Sequence, residues 1–392
     1  MKIAIIADDF TGANDVGVQL NKYGLNVVTA LEEIESSDVI IYNTESRNID
    51  EDEAKKKVEE KFKMMKERKF NYFYKKIDST LRGNLSKEIE AIVENIGADE
   101  KVVVAAAFPI MGRVIKNGEH FLNGKRVVET EIAKDPVAPV TEGDLKKIFH
   151  NSINIRFEEL INGSAEKKIR ESSEKIIIFD SETEEELEEC AKFLVKTGYD
   201  KYIAGSAGIM NYLPELWGIK NRVAIISGSC STVSIEQINR VIDINEGQLE
   251  IVNFDIRDEM VKKNSYKIKK DIVLRSVMDK KDVDEVMEFF MKKGVSRKEA
   301  GGLITDFIAE ESAKYIIENE IKNLIIMGGE TSYKVLKKIG IKSLKIEYEV
   351  ETGIAVAKSE NMRYNIIVKP GNFGSENCIN RCYEILKKRK FF

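Results

Sequence analysis

Histidine and cysteine are scarce in this chain. It holds two histidines, His120 and His150, and four cysteines, Cys190, Cys230, Cys378 and Cys382. None falls in a CxxC or HExxH spacing, so no metal centre is expected. Cys378 and Cys382 stand at i, i+4 on what reads as the last helix and are expected to be buried packing thiols. Long hydrophobic runs are missing too. The first, residues 3–7, is far shorter than a signal peptide or the ~18 residues of a membrane span. A cytoplasmic protein without disulfides is therefore expected. Nor is positive charge in excess: the formal net charge is -5, which argues against a general nucleic-acid or membrane surface while leaving room for a local basic pocket. Familiar catalytic loops are absent as well. There is no GxxxxGK[ST], no strand-associated GxGxxG and no GxSxG, since "SGSCS" has glycine at only one of the two required positions.

What remains is a well-charged globular composition, 43% hydrophobic and 33% charged over 392 residues, long enough for two or three domains. Short apolar runs alternate with charged helical stretches. "KIAIIA", "LNVVTA", "DVIIYNT", "FNYFYKKID" and "KVVVAAAFP" read as strands, and "NDVGVQLNKYG" and "DEDEAKKKVEEKFKMMKER" as helices. That rhythm predicts a mostly parallel sheet with helices on both faces. Asn123-Gly124 between short extended segments signals a hairpin, and residues 129–170 read as loop-rich. The rhythm returns at "KIIIFDSET". Around "YLPELWGIKN" a Pro, a Gly and the only Trp precede a strong new strand, "RVAIISGSCS". The boundary is placed there, giving domains 1–218 and 219–392. The second domain repeats the pattern with "QLEIVNFD", "DIVLRSV", "NLIIMGGETS", "SLKIEYEV" and "NIIVKPGNFG".

In open α/β sheets, ligands collect beyond the C-terminal ends of the strands. Four polar clusters follow apolar runs in the first domain: "DDFTG" from Asp8 to Gly12, "NTESR" ending at Arg47, "KKIDSTLRGN" ending at Asn84, and "AAAFPIMGR" ending at Arg113. Adjacent acids such as Asp8 and Asp9 repel and are costly at a strand end unless a cation or a donor meets them. Metal ligand, catalytic base, hydroxyl anchor and helix cap are all open roles for them, and Asp15 or Ser86 could simply open its helix. Together the clusters combine Arg47, Lys76 and Arg82 with carboxylates and hydroxyls. That inventory suits a small polyhydroxylated anion, or else a surface salt-bridge network.

The second domain has turns of another character. "SGSCS" (227–231), "MGGETS" (327–332) and "KPGNFG" (369–374) are Gly- and Ser-rich and sit at strand ends before helical stretches. Glycine lets backbone N–H groups approach an anion, and a helix N-terminus favours negative charge, so such turns suit the phosphates of a nucleotide.

Taken together, "ADDFTGANDVG", "KKIDSTLRGN", "AAFPIMGR", "DPVAPV", "ISGSCS", "GGETS" and "KPGNFG" resemble the four-carbon acid sugar kinase family, in its order and spacing from about residue 3 to about residue 375. The resemblance implies an α/β fold of two domains, each a mostly parallel sheet flanked by helices, with the active site in the interdomain cleft. The N-terminal domain would bind a sugar acid and the C-terminal domain ATP. The activity implied is ATP-dependent phosphorylation, at the terminal hydroxyl, of threonate, erythronate or 3-oxo-tetronate. Carried over by position, Asp9, Arg47, Lys76, Asp78, Ser79, Thr80, Arg82 and Asn84 would contact the sugar acid. Ser227, Ser229, Gly328, Gly329, Glu330, Thr331 and Gly371 would contact ATP. Catalysis is expected from Asp9, Asp78 and Arg82, with Asp9 or Asp78 taking the acceptor's proton, and Mg2+ should accompany ATP. The stretch 349–364 departs from the family's usual Pro-Gly-rich sequence, so no contacts carry over there. The expected partners are the small-molecule acid and ATP, without nucleic acid or membrane, and a homodimer is one candidate assembly. A sugar-acid phosphatase or a non-catalytic sugar-acid-binding protein is the alternative. The former needs Asp-x-Asp-x-Thr, which "DDFT" is one residue too compact to supply.

Overall fold

The apolar runs become strands of two sheets in a computed structural model that describes residues 2–34, 37–257 and 266–388. The chain divides into two compact units, Met1–Ile219 and Lys220–Phe392.

In the first unit the strands are β1 (Ile3–Ala7), β2 (Val27–Ala30), β3 (Val39–Asn43), β4 (Tyr72–Lys76), β5 (Val102–Ala105), β6 (Arg113–Lys116), β7 (Glu119–Leu122), β8 (Lys125–Arg126), β9 (Ser152–Ile155), β10 (Ile176–Phe179) and β11 (Tyr202–Gly205). Eight form one parallel sheet in the order β2-β3-β1-β4-β11-β5-β10-β9. A central parallel strand is covered on both faces, so it can be apolar at every position. β1 and β5 are buried at every residue. The helix Glu51–Glu67 shows the complementary pattern: Ala54, Val58, Phe62 and Met65 are buried on one stripe, and Asp50 caps its first turn through Asp52 N at 3.0 Å. Its charges lie on the solvent side, as its i, i+4 pairs predict.

The region after residue 109 is more regular than its sequence suggests. β6, β7 and β8 make a small antiparallel sheet, with Asn123 and Gly124 both at positive φ in the turn between β7 and β8. Within 129–170, short helices and β9 form, and β9 is the parallel edge strand beyond β10. Four residues with a half-polar pattern, "SINI", carry too little periodicity to announce a strand.

In the second unit the strands are β12 (Val223–Ser227), β13 (Leu249–Asn253), β14 (Asp271–Arg275), β15 (Asn323–Met327), β16 (Leu344–Glu351), β17 (Ile354–Ser359) and β18 (Asn365–Lys369). Their order is β13-β14-β12-β15-β18-β17-β16. The first five are parallel, while β17 and β16 add an antiparallel hairpin at one edge. β17 lies inside the stretch 349–364. Cys378 and Cys382 are fully buried on the last helix, Cys378–Lys388, as free thiols. No described helix is long and apolar enough to cross a membrane.

Two helix starts differ from expectation. The first helix runs Phe10–Asn21 with Asp9 as its N-cap, so Asp15 lies in the second turn and opens nothing. The helix Leu85–Val93 begins after Asn84, which leaves Ser86 inside it.

Candidate active site

In the first unit, strand order reverses at β1: the chain moves from β1 to β2 and β3 on one side, then crosses to β4 on the other. That is the switch point where loops diverge and a crevice opens. Register makes the strand ends level, because Ala7 pairs with Asn43 of β3 and with Lys76 of β4. The loops that begin at Asp8, Thr44 and Ile77 therefore emerge side by side.

Arg47 holds this site together. Its guanidinium grips Asp8 with two bonds, Nε to Oδ2 at 2.7 Å and NH2 to Oδ1 at 3.1 Å, and donates from NH1 to Asp9 Oδ2 at 2.9 Å. Asp78 Oδ1 lies 3.6 Å from NH2. Asp8 is almost wholly buried, so this fork is what makes its charge tolerable. Asp9 also caps the first helix, accepting from Gly12 N at 2.8 Å and from the Thr11 hydroxyl at 2.6 Å. Gly12 is required here, since a Cβ would sit 2.5 Å from Asp9 Oδ1 and 3.2 Å from Lys76 Nζ.

The loop after β4 is wound around Asp78. Arg82 donates Nε and NH2 to its two oxygens, both at 3.0 Å, and Thr80 adds its backbone N–H and its hydroxyl. Burial alone would raise the Asp78 pKa, but the bonds from Arg82 and Thr80 and the charges of Arg47 and Arg82 outweigh it and hold it well below the usual carboxylate range. Leu81, with φ at 66°, and Gly83, with φ at +97°, take left-handed conformations on either side of Arg82. Arg82 NH1 also reaches Asp135 of the "DPVAPV" loop at 3.4 Å. Lys76 is buried. It donates to the Ile77 carbonyl at 3.0 Å and stands 4.0 Å from Asp15. Burial lowers its pKa, with Asp8, Asp15, Asp78 and Asp9 opposing.

Asp9, Arg47, Lys76, Asp78, Thr80 and Arg82 thus surround one crevice. Asn84 stands apart from it, because its amide donates to the Ser46 and Ile49 carbonyls at 2.8 and 2.9 Å and ties two loops together. Ser79 offers its carbonyl to His120 Nε2 at 2.9 Å. His120 is fully buried, and burial pushes its pKa down to about 4, so it is a neutral support beneath the loop. Its lone position in "EHFL" gave no signal of that role.

The second unit repeats the arrangement with different chemistry. Ser227 pairs with Met327 of β15, and Met327 with Lys369 of β18, so the three glycine turns begin at one level. They touch. A Cβ on Gly228 would lie 2.5 Å from the Thr331 hydroxyl, and one on Gly371 would lie 2.8 Å from Ser229 Oγ. Ser234 donates to the Gly371 carbonyl at 2.6 Å, and buried Lys369 donates to the carbonyls of Pro370 and Gly371 at 2.8 and 3.0 Å. Gly328, with φ at +95°, is the N-cap of the helix Gly329–Lys338. Ser227 and Thr331 are buried, whereas Gly329 and Glu330 are exposed.

Beside these turns lies a cleft of ≈ 710 Å³, walled by Gly228, Arg297, Lys298, Gly301, Gly302, Thr305 and Glu330. That volume is of ligand size. The first turns of the helix Arg297–Glu318 were not anticipated as part of a site. The signal was present: Gly301-Gly302 inside a helical stretch costs about 0.5–1 kcal/mol per glycine relative to alanine. Neither glycine has a neighbour within 4 Å of its missing Cβ. Glu330 accepts from Thr305 at 3.2 Å and pairs with Lys334 at 2.9 Å. Among the described residues no three His, Cys, Asp or Glu side chains are grouped to hold a metal ion.

Comparison with known proteins agrees with this division. Residues 3–213 match the model of a sugar-binding N-terminal domain, and residues 224–379 that of a nucleotide-binding C-terminal domain. The chain is 27% identical to a D-threonate kinase of Salmonella typhimurium, covering 97% of each. It is 25% identical to a D-erythronate kinase of Heliobacterium modesticaldum, over 98% of this chain and 97% of that one. With a 3-oxo-tetronate kinase of Brucella melitensis it shares 24% identity, over 96% and 94%. Its fold resembles a domain of unknown function from Bordetella bronchiseptica, solved with bound citrate as a domain-swapped dimer, at a TM-score of 0.59 and 20% identity over the whole of both chains. With both domain models matched in order, one on each compact unit, the chain belongs to the four-carbon acid sugar kinase family.

Proposed function

We propose that this chain is an ATP-dependent kinase that phosphorylates the terminal hydroxyl of a four-carbon sugar acid of the threonate, erythronate or 3-oxo-tetronate type. The observation that carries the reading is the near-full-length match to kinases of such acids. It gains weight from two strand-end sites of opposite character, one rich in paired charges and one built of glycine turns.

Within the first site, Lys76 is the cation best placed for the acid's carboxylate. An ammonium has three donors, and one of them goes to the Ile77 carbonyl. Arg47 and Arg82 enter the reaction already paired with aspartates, so their task is to fix Asp9 and Asp78 as acceptors for the hydroxyls, with buried Asp8 holding Arg47 in place. Ser79 and Thr80 complete that rim. On the nucleotide side, the turns holding Ser227, Ser229, Gly328, Gly329, Glu330, Thr331 and Gly371 would receive the phosphates. Magnesium, which bridges and neutralises phosphate oxygens, needs only one or two protein carboxylates when it arrives with ATP. The donors here fit such a visiting ion, with Glu330 the carboxylate at the cleft, and not a resident one. We also propose a homodimer, supported by the dimeric Bordetella neighbour; light scattering of the purified chain tests it.

A coupled assay for ADP release, run over a panel of four-carbon sugar acids, tests the activity. Release that depends on one of these acids is expected. Release with none of them, or hydrolysis of a phosphorylated acid in the absence of ATP, would refute the kinase reading.

A further inference from the structure

Five carboxylates face the crevice at the ends of β1 and β4, and four of them are committed. Asp8 gives both oxygens to Arg47. Asp9 accepts from Gly12 N, the Thr11 hydroxyl and Arg47. Asp78 accepts from Thr80 and from Arg82, by backbone and by side chain. Asp135 turns Oδ1 to the N–H groups of Val137 and Ala138 and Oδ2 to Arg82. A general base needs a free lone pair and an affinity for protons near that of the working solution. Asp78, held so firmly ionised, is the wrong kind of group, and Asp9 already accepts three bonds, one of them from the Arg47 guanidinium, which favours its ionised form.

Asp15 differs from all four. Among the described residues it accepts no hydrogen bond, and its nearest cation is Lys76 at 4.0 Å. Its side chain is 46% exposed, so a ligand can reach it. It lies one helical turn beyond Gly12, on the face where that glycine leaves room for the Lys76 ammonium. Partial burial raises its pKa. Lys76 of β4 and Lys22 of its own helix oppose that rise, Asp9 at the helix N-cap adds to it, and Tyr74 of β4 feels the Asp15 charge.

We propose that Asp15 is the general base of the transfer, an inference that rests on the kinase reading above. An Asp15 oxygen takes the proton of the acceptor hydroxyl. The hydroxyl oxygen forms its bond to the γ-phosphorus as the bond from that phosphorus to the bridging oxygen breaks, and ADP leaves with the electron pair. The proton stays on Asp15 until water removes it. Lys76, beside it, holds the acid in place, while Asp9 and Asp78 act as positioning residues.

Steady-state kinetics of the full chain, its Asp15→Asn variant and its Asp15→Glu variant test this. The wild-type chain must first release ADP in an acid-dependent way; if it does not, the kinase reading fails and the proposal falls with it. Given that activity, Asp15→Asn should lower kcat by about 10²–10⁴-fold with KM for both substrates changed less than about threefold. Wild-type kcat should fall as the pH drops through the Asp15 pKa, and this acidic limb should vanish in Asp15→Asn and shift in Asp15→Glu. The unfolding midpoint should hold or rise in Asp15→Asn, because its charge makes no hydrogen bond. A kcat within about fivefold of wild type, a loss confined to KM, or an unchanged acidic limb in Asp15→Asn would overturn the assignment while leaving the kinase reading intact.

Discussion

Replacing Arg47 with methionine should cost the N-terminal unit far more stability than the loss of a surface charge. Arg47 is 12% exposed and Asp8 1% exposed, and the pair is joined by two short bonds. Methionine keeps the apolar stem and deletes the guanidinium, so Asp8 is left ionised and unpaired in the interior. Breaking a buried pair in this one-sided way costs about 3–5 kcal/mol. For a unit of this size each kcal/mol corresponds to about 2–4 °C, so a fall in midpoint of about 6–20 °C is expected. The readout is built in. Trp217 is the only tryptophan, buried in this unit, stacked on Tyr72 at 4.0 Å and bonded through Nε1 to Asp200 at 2.8 Å. Its fluorescence during urea unfolding reports this unit alone. Adding Asp8→Asn to Arg47→Met removes the stranded charge and should recover a good part of the loss. A loss under about 1 kcal/mol, the range of exposed ion pairs, or a double variant no more stable than the single one, would refute the reasoning.

Two further outcomes are expected. The Asp78 pKa is depressed in the folded chain, so its contribution to stability is full above the unfolded value of ~3.9 and is lost as pH falls below it. Asp78→Asn should start less stable at neutral pH and then lose less between about pH 4 and pH 2, read by Trp217 fluorescence; equal acid slopes would count against the Arg82 and Arg47 pairing. Replacing Gly301 and Gly302 with alanine should stabilise the C-terminal unit by about 0.5–1 kcal/mol each, since neither Cβ meets a neighbour. The same change narrows the cleft and should raise KM for ATP, and a stabilised variant with unaltered KM would exclude that helix from the nucleotide site.

Much of the fold was legible because parallel strands buried on both faces leave unbroken apolar runs: β1, β5 and β15 are plain in "IAIIA", "VVVA" and "NLIIM". β9 and β17 were not, since an edge strand and the middle strand of a short hairpin region carry mixed patterns that only pairing resolves. That the clusters after β1, β3 and β4 emerge side by side was legible too, for a strand end in an α/β sheet is a predictable place. Their pairing was not. The sequence set Arg47 and Arg82 beside carboxylates and left an anion site and a salt-bridge network both open, and in the folded chain both guanidiniums are paired with aspartates.

Residue order and spacing alone determined the α/β class, the two-domain organisation and the seven motifs of the family, because those depend on local periodicity and on short turns. Tertiary structure alone decided how the carboxylates divide their labour. Whether Asp9 is a cap, Asp78 is an anchor for Arg82, and Asp15 is left, among the described residues, without a hydrogen-bond donor depends on which groups lie near each oxygen. Some of those donors are local, as Thr11 and Gly12 are to Asp9 and Thr80 and Arg82 to Asp78, but Arg47 reaches Asp9 from 38 positions away, a meeting that no local pattern in the chain encodes.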